Sequence, residues 1–201
     1  GLVSFNGSRH NNLCRFSREN AEGVAVVYDP NDRDPKRRYK AFYWEHSVRS
    51  PHKIPVAVEI SAMSVSFSAD GKSWTDHPGN PVIPQASDTG HQAVWDPFRK
   101  VFVAYGRFGA GGRRIARSES SDFITWSPSQ LVFAADATDT MARGGNPQFY
   151  GMGTTIYEGA YIGLPWMFWE NSSNRLDVQL ASSRDGIHWT KPAMGLIPWE
   201  G

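Results

Sequence analysis

Short runs of apolar and β-branched residues alternate with clusters of Gly, Pro, Asn and Asp along the whole chain. The first run, residues 23–30, ends at Asp29-Pro30, where proline cannot continue a β-ladder. Runs of this composition, bounded by turn residues, predict β-strands. Neither a helical spacing of apolar residues nor a strand–helix–strand unit is visible, so the pattern predicts an all-β fold.

The predicted strands follow the same order three times. They are residues 23–30, 38–45, 57–68 and 80–84 in the first round, 91–97, 99–107, 113–118 and 130–133 in the second, and 148–157, 161–168, 177–182 and 195–198 in the third. Four antiparallel strands in about 50 residues are typical of one blade of a β-propeller. A β-sandwich also has many short strands, but it does not predict the same four-strand order in every round.

An acidic turn closed by a tryptophan follows the third strand of every round. The aspartate and tryptophan pairs are Asp70 and Trp74, Asp122 and Trp126, and Asp185 and Trp189. We expect each carboxylate to accept backbone N–H groups inside its turn, with Gly71 and Gly186 supplying a positive φ. The repetition predicts a structural role for these aspartates, and for the whole stretch of residues 113–126, rather than a catalytic one.

The three rounds predict blades at residues 23–84, 88–134 and 139–198, with residues 1–22 as a lead-in or the remnant of another blade. Because propellers have 4–8 blades, three blades predict a ring that this chain does not complete alone. The remaining blades would come from a longer chain, which is the favoured explanation, or from self-association.

Charge and cysteine content restrict the partners. Lys and Arg number 21 against 20 Asp and Glu, which gives no electrostatic case for nucleic acid or an anionic membrane. The single cysteine, Cys14, excludes an internal disulfide framework and a cysteine-based metal site. No apolar run approaches the ~20 residues of a membrane span. No leader peptide is visible, and a secreted or periplasmic location is slightly favoured.

Residues before the first strand and after the second strand of each propeller blade converge at one mouth of the axial channel. At these positions the candidate catalytic carboxylates are Glu45, Asp88, Asp139 and Glu170. The candidate substrate-binding residues are Asn12, Trp44, His91, Gln92, Arg107, Arg143, Asn146 and Trp169. Carboxylates serve acid–base chemistry, Arg and Asn bind hydroxyl groups, and Trp stacks on sugar rings, so the set predicts a carbohydrate site.

Structural alternatives stand beside these assignments. Asp88 and Asp139 each precede a threonine and could cap turns, while Glu45 and Glu170 occupy the same blade position and could be structural. His91 could be a packing residue. No His-Glu-x-x-His or other metal-ligand spacing occurs, and no Gly-rich segment opens a helix. The sequence therefore predicts neither a metal nor a cofactor.

The blade sequences resemble a known superfamily. Residues 88–97, 100–107 and 114–126, with 37–42 and 180–189, resemble the five-bladed propellers related to glycoside hydrolase families 32 and 43. The resemblance implies a five-bladed fold and hydrolysis of furanosides, pyranosides or fructosides in oligo- or polysaccharides. It also implies an Asp on the first blade, a second Asp that orients or tunes, and a Glu acid on a later blade.

No catalytic residue can be carried over, because this sequence departs from the family pattern. The Trp-Met-Asn-Asp-Pro signature is absent, and Asp29 and Asp96 end their strands instead of opening them. Glu158-Gly159 matches the family's Glu-Gly pair but is predicted in a hairpin turn. The leading hypothesis is a glycoside hydrolase. The alternatives are a non-catalytic propeller that binds glycans or proteins, and a sialidase-like hydrolase, for which Arg107 and Arg143 are suitably placed.

Overall fold

The computed structural model describes residues 2–13, 21–45, 61–85, 87–88, 90–108 and 112–191. The predicted strand 195–198 lies outside these residues, as does the first part of the predicted strand 57–68. The chain divides into two units, residues 1–84 and residues 85–201.

The first unit contains one antiparallel sheet. Its strands are β1 (Ala21–Tyr28), β2 (Tyr39–Glu45), β3 (Ala62–Ser68) and β4 (Thr75–Asp76). They lie in the order β1-β2-β3-β4. Every residue of β3 is buried, so this strand is covered on both faces although its sequence alternates apolar residues with serines.

The fourth strand of this sheet lies earlier than the sequence predicted. Thr75–Asp76 pairs with β3, whereas the predicted segment 80–84 contributes one isolated bridge between Ile83 and Met63. Nearby, the Asn80 side chain takes the place of a ladder residue. Its Oδ1 accepts from the N–H of Val65 at 3.0 Å, and its Nδ2 donates to the carbonyl of Val65 at 2.8 Å. A side chain that mimics backbone pairing leaves no strand pattern in the sequence.

The second unit contains two antiparallel sheets and one short helix. Its elements are β5 (Gln92–Asp96), β6 (Val101–Gly106), β7 (Ile115–Ser120), β8 (Gln130–Phe133), α1 (Ala137–Arg143), β9 (Asn146–Tyr157), β10 (Ala160–Glu170), β11 (Leu176–Val178) and β12 (Ala181–Ser183). One sheet has the order β5-β6-β7-β8. In the other, β10 pairs with β9 on one side and with β11 and β12 on the other. The described strands thus form three four-stranded sheets, and the all-β prediction is confirmed.

Helix α1 is a short element that no helical spacing in the sequence indicated. The Asp136 carboxylate caps the helix by accepting the N–H groups of Thr138 at 2.8 Å and Asp139 at 3.2 Å. The Asp139 carboxylate accepts the N–H of Asp136 at 2.9 Å, which completes a capping box. Seven residues make only two turns, so they are too few to show a helical spacing of apolar positions.

The core of the second unit lies between its two sheets. The second sheet contributes Val103, Tyr105, Ile115 and Phe133, and the third sheet contributes Phe149, Met152, Tyr161, Met167, Trp169 and Ala181. Trp189, which closes the third acidic turn, packs between them. Its ring lies 5.6 Å from that of Tyr105 and 6.3 Å from that of Tyr161. This turn therefore joins the two sheets, as predicted for a closing tryptophan.

The three acidic turns share one hydrogen-bond pattern. The carboxylates of Asp70, Asp122 and Asp185 each accept the backbone N–H groups two and three residues later, at 2.7–2.8 Å. Each also accepts the hydroxyl of the serine two residues earlier, at 2.9–3.0 Å. The structural role predicted for these aspartates is therefore confirmed.

These hydrogen bonds lower the pKa values of the turn carboxyls. The N–H groups of Ser73 and Lys72 lower the pKa of Asp70 to about 2. Burial raises the pKa of Asp122, but the N–H groups of Thr125 and Ile124 outweigh it and the net direction is down. A folded pKa below the unfolded value of about 3.9 stabilises the folded state above pH ~4. This stabilisation is lost as the pH falls through the folded pKa.

We expect Asp122→Asn to lower the free energy of unfolding by about 1–2 kcal/mol at pH 7, because charge-assisted hydrogen bonds are lost. The melting temperature should fall by roughly 2–4 °C per kcal/mol. The difference should shrink in acid, once the pH has fallen through the lowered pKa of Asp122 and its carboxyl is protonated. Thermal melts at pH 7 and in acid check this, with the exposed Glu158→Gln as the control. A difference that is as large in acid would show that the carboxylate charge is not responsible.

Candidate functional site

Strand pairing brings polar residues to one edge of the third sheet. The start of β9 lies beside the end of β10, because Asn146 pairs with Glu170 and Gln148 pairs with Phe168. The sequence predicted Asn146 and Glu170 for this mouth from their strand positions. Gln148, the third residue of β9, was not predicted as a site residue.

Glu170 is held by three neighbouring side chains. Its Oε2 accepts hydrogen bonds from Asn146 Nδ2 at 2.8 Å and from Gln148 Nε2 at 2.6 Å. Its Oε1 lies 3.6 Å from a guanidinium nitrogen of Arg113. The carboxylate is about one-third exposed, so it remains open to a ligand.

Arg113 is a site residue that the sequence reasoning missed. It precedes β7 and donates from Nη1 to Gln148 Oε1 at 2.7 Å, which fixes the orientation of that amide toward Glu170. Its guanidinium carbon lies 4.9 Å from the centre of the Tyr150 ring and 5.7 Å from that of Phe168. Its carbonyl accepts the N–H of Phe149 at 2.9 Å, which ties the second sheet to the third. Arg113 stands just before the third strand of its sheet, and this strand-end position could have indicated it as a site residue.

Asp88 and Arg107, both predicted, form an ion pair beside the same tyrosine. Arg107 is 8% exposed and is held by Ser87, whose carbonyl accepts Nε at 3.2 Å and whose hydroxyl accepts the backbone N–H at 3.0 Å. Its Nη2 contacts the Asp88 carboxylate, whose side chain is 59% exposed. The guanidinium carbon lies 5.1 Å from the Tyr150 ring centre.

These contacts form one continuous group, which we call the mouth cluster. It consists of Asp88, Arg107, Arg113, Asn146, Gln148, Tyr150 and Glu170. It holds two carboxylates, two guanidinium groups, two amides and one phenol. Hydrogen-bond donors and acceptors of both charges at one sheet edge can bind the hydroxyl groups of a polar ligand.

Asp139, Arg143 and Trp169 lie apart from this cluster in their contacts. Asp139 is 2% exposed, caps α1 and pairs with Lys191, so its carboxylate is already engaged. Arg143 Nη1 and Trp169 Nε1 both donate to Asp177 Oδ2, at 2.8 and 2.9 Å. Trp169 is 2% exposed and packs in the core, so it offers no face for sugar stacking. These contacts give Asp139 and Trp169 structural roles in the unit.

Gln92 and His91 also have interior positions. The Gln92 side chain carbonyl accepts the backbone N–H of Thr154 at 2.5 Å, which links β5 to β9 across the two sheets. His91 is buried where β5 begins. Gln92 thus ties the two sheets together from inside the unit.

The remaining candidates belong to residues 1–84. The Glu45 carboxylate is buried at the end of β2 and accepts the hydroxyl of Ser64 at 2.7 Å. Trp44 donates from its indole nitrogen to the hydroxyl of Ser61. Asn12 is exposed. Their roles in binding stay predictions.

No group of three or more His, Cys, Asp or Glu side chains within the described ranges could hold a metal ion. No helix in that part of the chain is long and apolar enough to cross a membrane.

Known sequences do not identify the chain. No model of a protein family matches it. No curated protein matches it either.

Solved structures do resemble it. An endo-arabinase from Bacteroides thetaiotaomicron has a TM-score of 0.58 and 13% identity, covering 87% of this chain and 61% of that one. A Bombyx mori GH32 β-fructofuranosidase has a TM-score of 0.55 and 11% identity, covering 84% of this chain and 35% of that one. An N-acetylgalactosamine deacetylase from F. plautii, in complex with blood group B trisaccharide, has a TM-score of 0.52 and 14% identity, covering 89% of this chain and 71% of that one. The chain thus spans between about a third and just over two thirds of the proteins it resembles.

At these identities the likeness concerns the fold. The neighbours include propeller-type glycoside hydrolases, among them the arabinase and the fructofuranosidase. The described sheets, with their antiparallel order and repeated turns, agree with that architecture. This chain has the fold of the propeller-type glycoside hydrolases.

Proposed function

We propose that this chain belongs to a carbohydrate-active enzyme that hydrolyses glycosidic bonds at the mouth cluster. One observation carries the proposal: two carboxylates, Asp88 and Glu170, are joined through Arg107, Tyr150 and Arg113 at one edge of the fold. The likeness to glycoside hydrolases supports the same reaction class.

Hydrolysis of a glycosidic bond uses two carboxyl groups. One protonates the leaving oxygen, and the other acts as base or nucleophile. Glu170 accepts two amide hydrogen bonds and lies near a guanidinium, an arrangement that suits a carboxylate acting with its negative charge. Asp88, whose side chain is more exposed, would be the second carboxyl group of the pair.

The neighbouring side chains would bind the sugar. Asn146 keeps its amide oxygen for a hydroxyl group once Nδ2 is engaged with Glu170, and Arg107 and Arg113 hold the two carboxylates in place. The five-bladed ring, with further blades from a longer chain or from self-association, belongs to the same proposal. Its support is the three described sheets and the greater length of the structural neighbours.

A second candidate function is glycan binding without catalysis. The ion pair of Asp88 with Arg107 favours it, because that carboxylate is already neutralised by a cation. A third, sialidase-like candidate gains from the two guanidinium groups near Tyr150. Arg143, which the sequence had suggested for it, contacts Asp177 instead.

A substrate screen separates these candidates. We expect the chain to release reducing ends or nitrophenol from at least one member of a panel of aryl glycosides, an aryl sialoside, and plant and algal polysaccharides. Asp88→Asn should abolish the release, and Glu158→Gln, at the far end of the β9–β10 hairpin, should leave it unchanged. Calorimetric binding without any release would assign the non-catalytic function. Release from the sialoside alone would assign the sialidase-like one.

A further inference from the structure

The third acidic turn borders a surface cavity that the mouth cluster does not use. The cavity has a volume of about 440 Å³, within the usual range for small-molecule sites. Its lining consists of Ala160, Ser182, Ser183, Arg184, Asp185, His188 and Thr190. Ala160 opens β10, whereas Glu170 ends it. At about 3.3 Å per residue, the cavity lies roughly 30 Å along the strand from the mouth cluster.

The cavity presents hydrogen-bond donors, because its carboxylate is already engaged. Asp185 accepts two backbone N–H groups and the hydroxyl of Ser183. Its Oδ2 also contacts Nδ1 of His188 at 2.6 Å. This contact orients the imidazole and leaves its Nε2 on the exposed side, since the His188 side chain is 87% exposed. Arg184 adds a guanidinium, and Ser182 and Thr190 add hydroxyl groups.

The other two turns show that the fold does not require Arg184 and His188. The residue before the aspartate is Ala69 in the first turn and Ser121 in the second. The residue three positions after it is Ser73 in the first and Thr125 in the second. All three turns nevertheless form the same carboxylate hydrogen bonds. The guanidinium and the imidazole are therefore additions to a turn that forms without them.

We propose that this cavity binds an oxyanion, such as a sulfate, phosphate or carboxylate group. Arg184 supplies a planar donor fork for the anion, and His188, held by Asp185 through Nδ1, adds a second donor at Nε2 when the imidazole carries both protons. The hydroxyl groups of Ser182 and Thr190 complete a set of donors around the cavity. The site is independent of the proposed hydrolase function, because it shares no residue with the mouth cluster.

The test uses the whole chain, labelled with ¹⁵N, titrated at constant ionic strength with sodium sulfate, sodium phosphate or sodium acetate. The amides of residues 182–190 should shift and saturate in the millimolar range with at least one anion. Saturable shifts with acetate alone would identify a carboxylate group as the ligand. Saturable shifts with sulfate or phosphate would identify a tetrahedral oxyanion. The amides of residues 120–126, in the second turn, serve as the internal control and should not saturate.

The substitutions Arg184→Ala and His188→Ser place the residues of the first turn into the third. Because the first turn forms with them, this variant should fold, and unchanged amide shifts elsewhere will confirm that it does. Binding should weaken at least about tenfold, the effect of ~1.4 kcal/mol. The proposal is overturned if no anion gives saturable shifts at residues 182–190, if the folded variant binds equally well, or if the second turn responds in the same way.

Discussion

Alanine in place of Gly186 should destabilise the second unit by about 2–5 kcal/mol. Gly186 has a φ of +73°, where an alanine costs about 1–2 kcal/mol. An added Cβ would lie 2.5 Å from the hydroxyl oxygen of Tyr105 and 2.9 Å from Cζ of Tyr161. Moving these buried rings costs about 1–3 kcal/mol more. The Tyr105 hydroxyl also donates to the Gly186 carbonyl at 2.9 Å, so the clash falls on a contact that joins the two sheets.

Gly71→Ala is the matched control. Gly71 occupies the same place in the first turn with a φ of +71°, but an added Cβ would meet Tyr39 no closer than 3.4 Å. Only the backbone cost remains, again about 1–2 kcal/mol. Phe123 occupies the corresponding place in the second turn at a φ of +66°, so a side chain is tolerated where there is room. Chemical denaturation of both variants checks the prediction. Equal losses would show that the tyrosine contacts do not matter.

Replacing Glu170 by glutamine should reduce glycoside hydrolysis by about 10²–10⁴-fold, the usual contribution of a positioned acid or base. The amide carries no charge and cannot act as a base or nucleophile. Its NH₂ group would also oppose donors, because Asn146 and Gln148 present N–H groups to Oε2 and Arg113 lies near Oε1. We therefore expect kcat to fall more than substrate affinity does.

The sequence predicted the strand framework well, because the signal was repeated. Each round contained the same breaks, and β8 lies at residues 130–133 as predicted. The acidic turns were predictable for a related reason. Asp70, its serine and its N–H donors lie within five residues of one another, so local chemistry alone determines their contacts. Helix α1 was missed because two turns carry too little pattern.

The candidate site was predicted only in part. Strand-end positions were enough to select Asp88, Arg107, Asn146 and Glu170, all of which lie in the mouth cluster. Arg113 was assigned to a structural stretch, because its reach to Gln148 and Glu170 depends on the neighbouring sheet. Asp139 was predicted as a catalytic carboxylate from its position before a first strand. Its ion pair with Lys191 could not be foreseen, because Lys191 lies 52 residues away along the chain. Contacts between segments that are far apart in the sequence cannot be predicted from a local sequence pattern.

The most direct test of the proposed hydrolase compares two glutamates on one hairpin. Glu170 lies at the mouth end of β9 and β10, and Glu158 lies in the turn at their other end. On the best glycoside from the screen, kcat/KM is to be measured for Glu170→Gln and for Glu158→Gln, after melting curves show equal stability. The account predicts a fall of about 10²-fold or more for the first variant and no change for the second. Equal kcat/KM in the two variants would contradict a catalytic role for the mouth cluster.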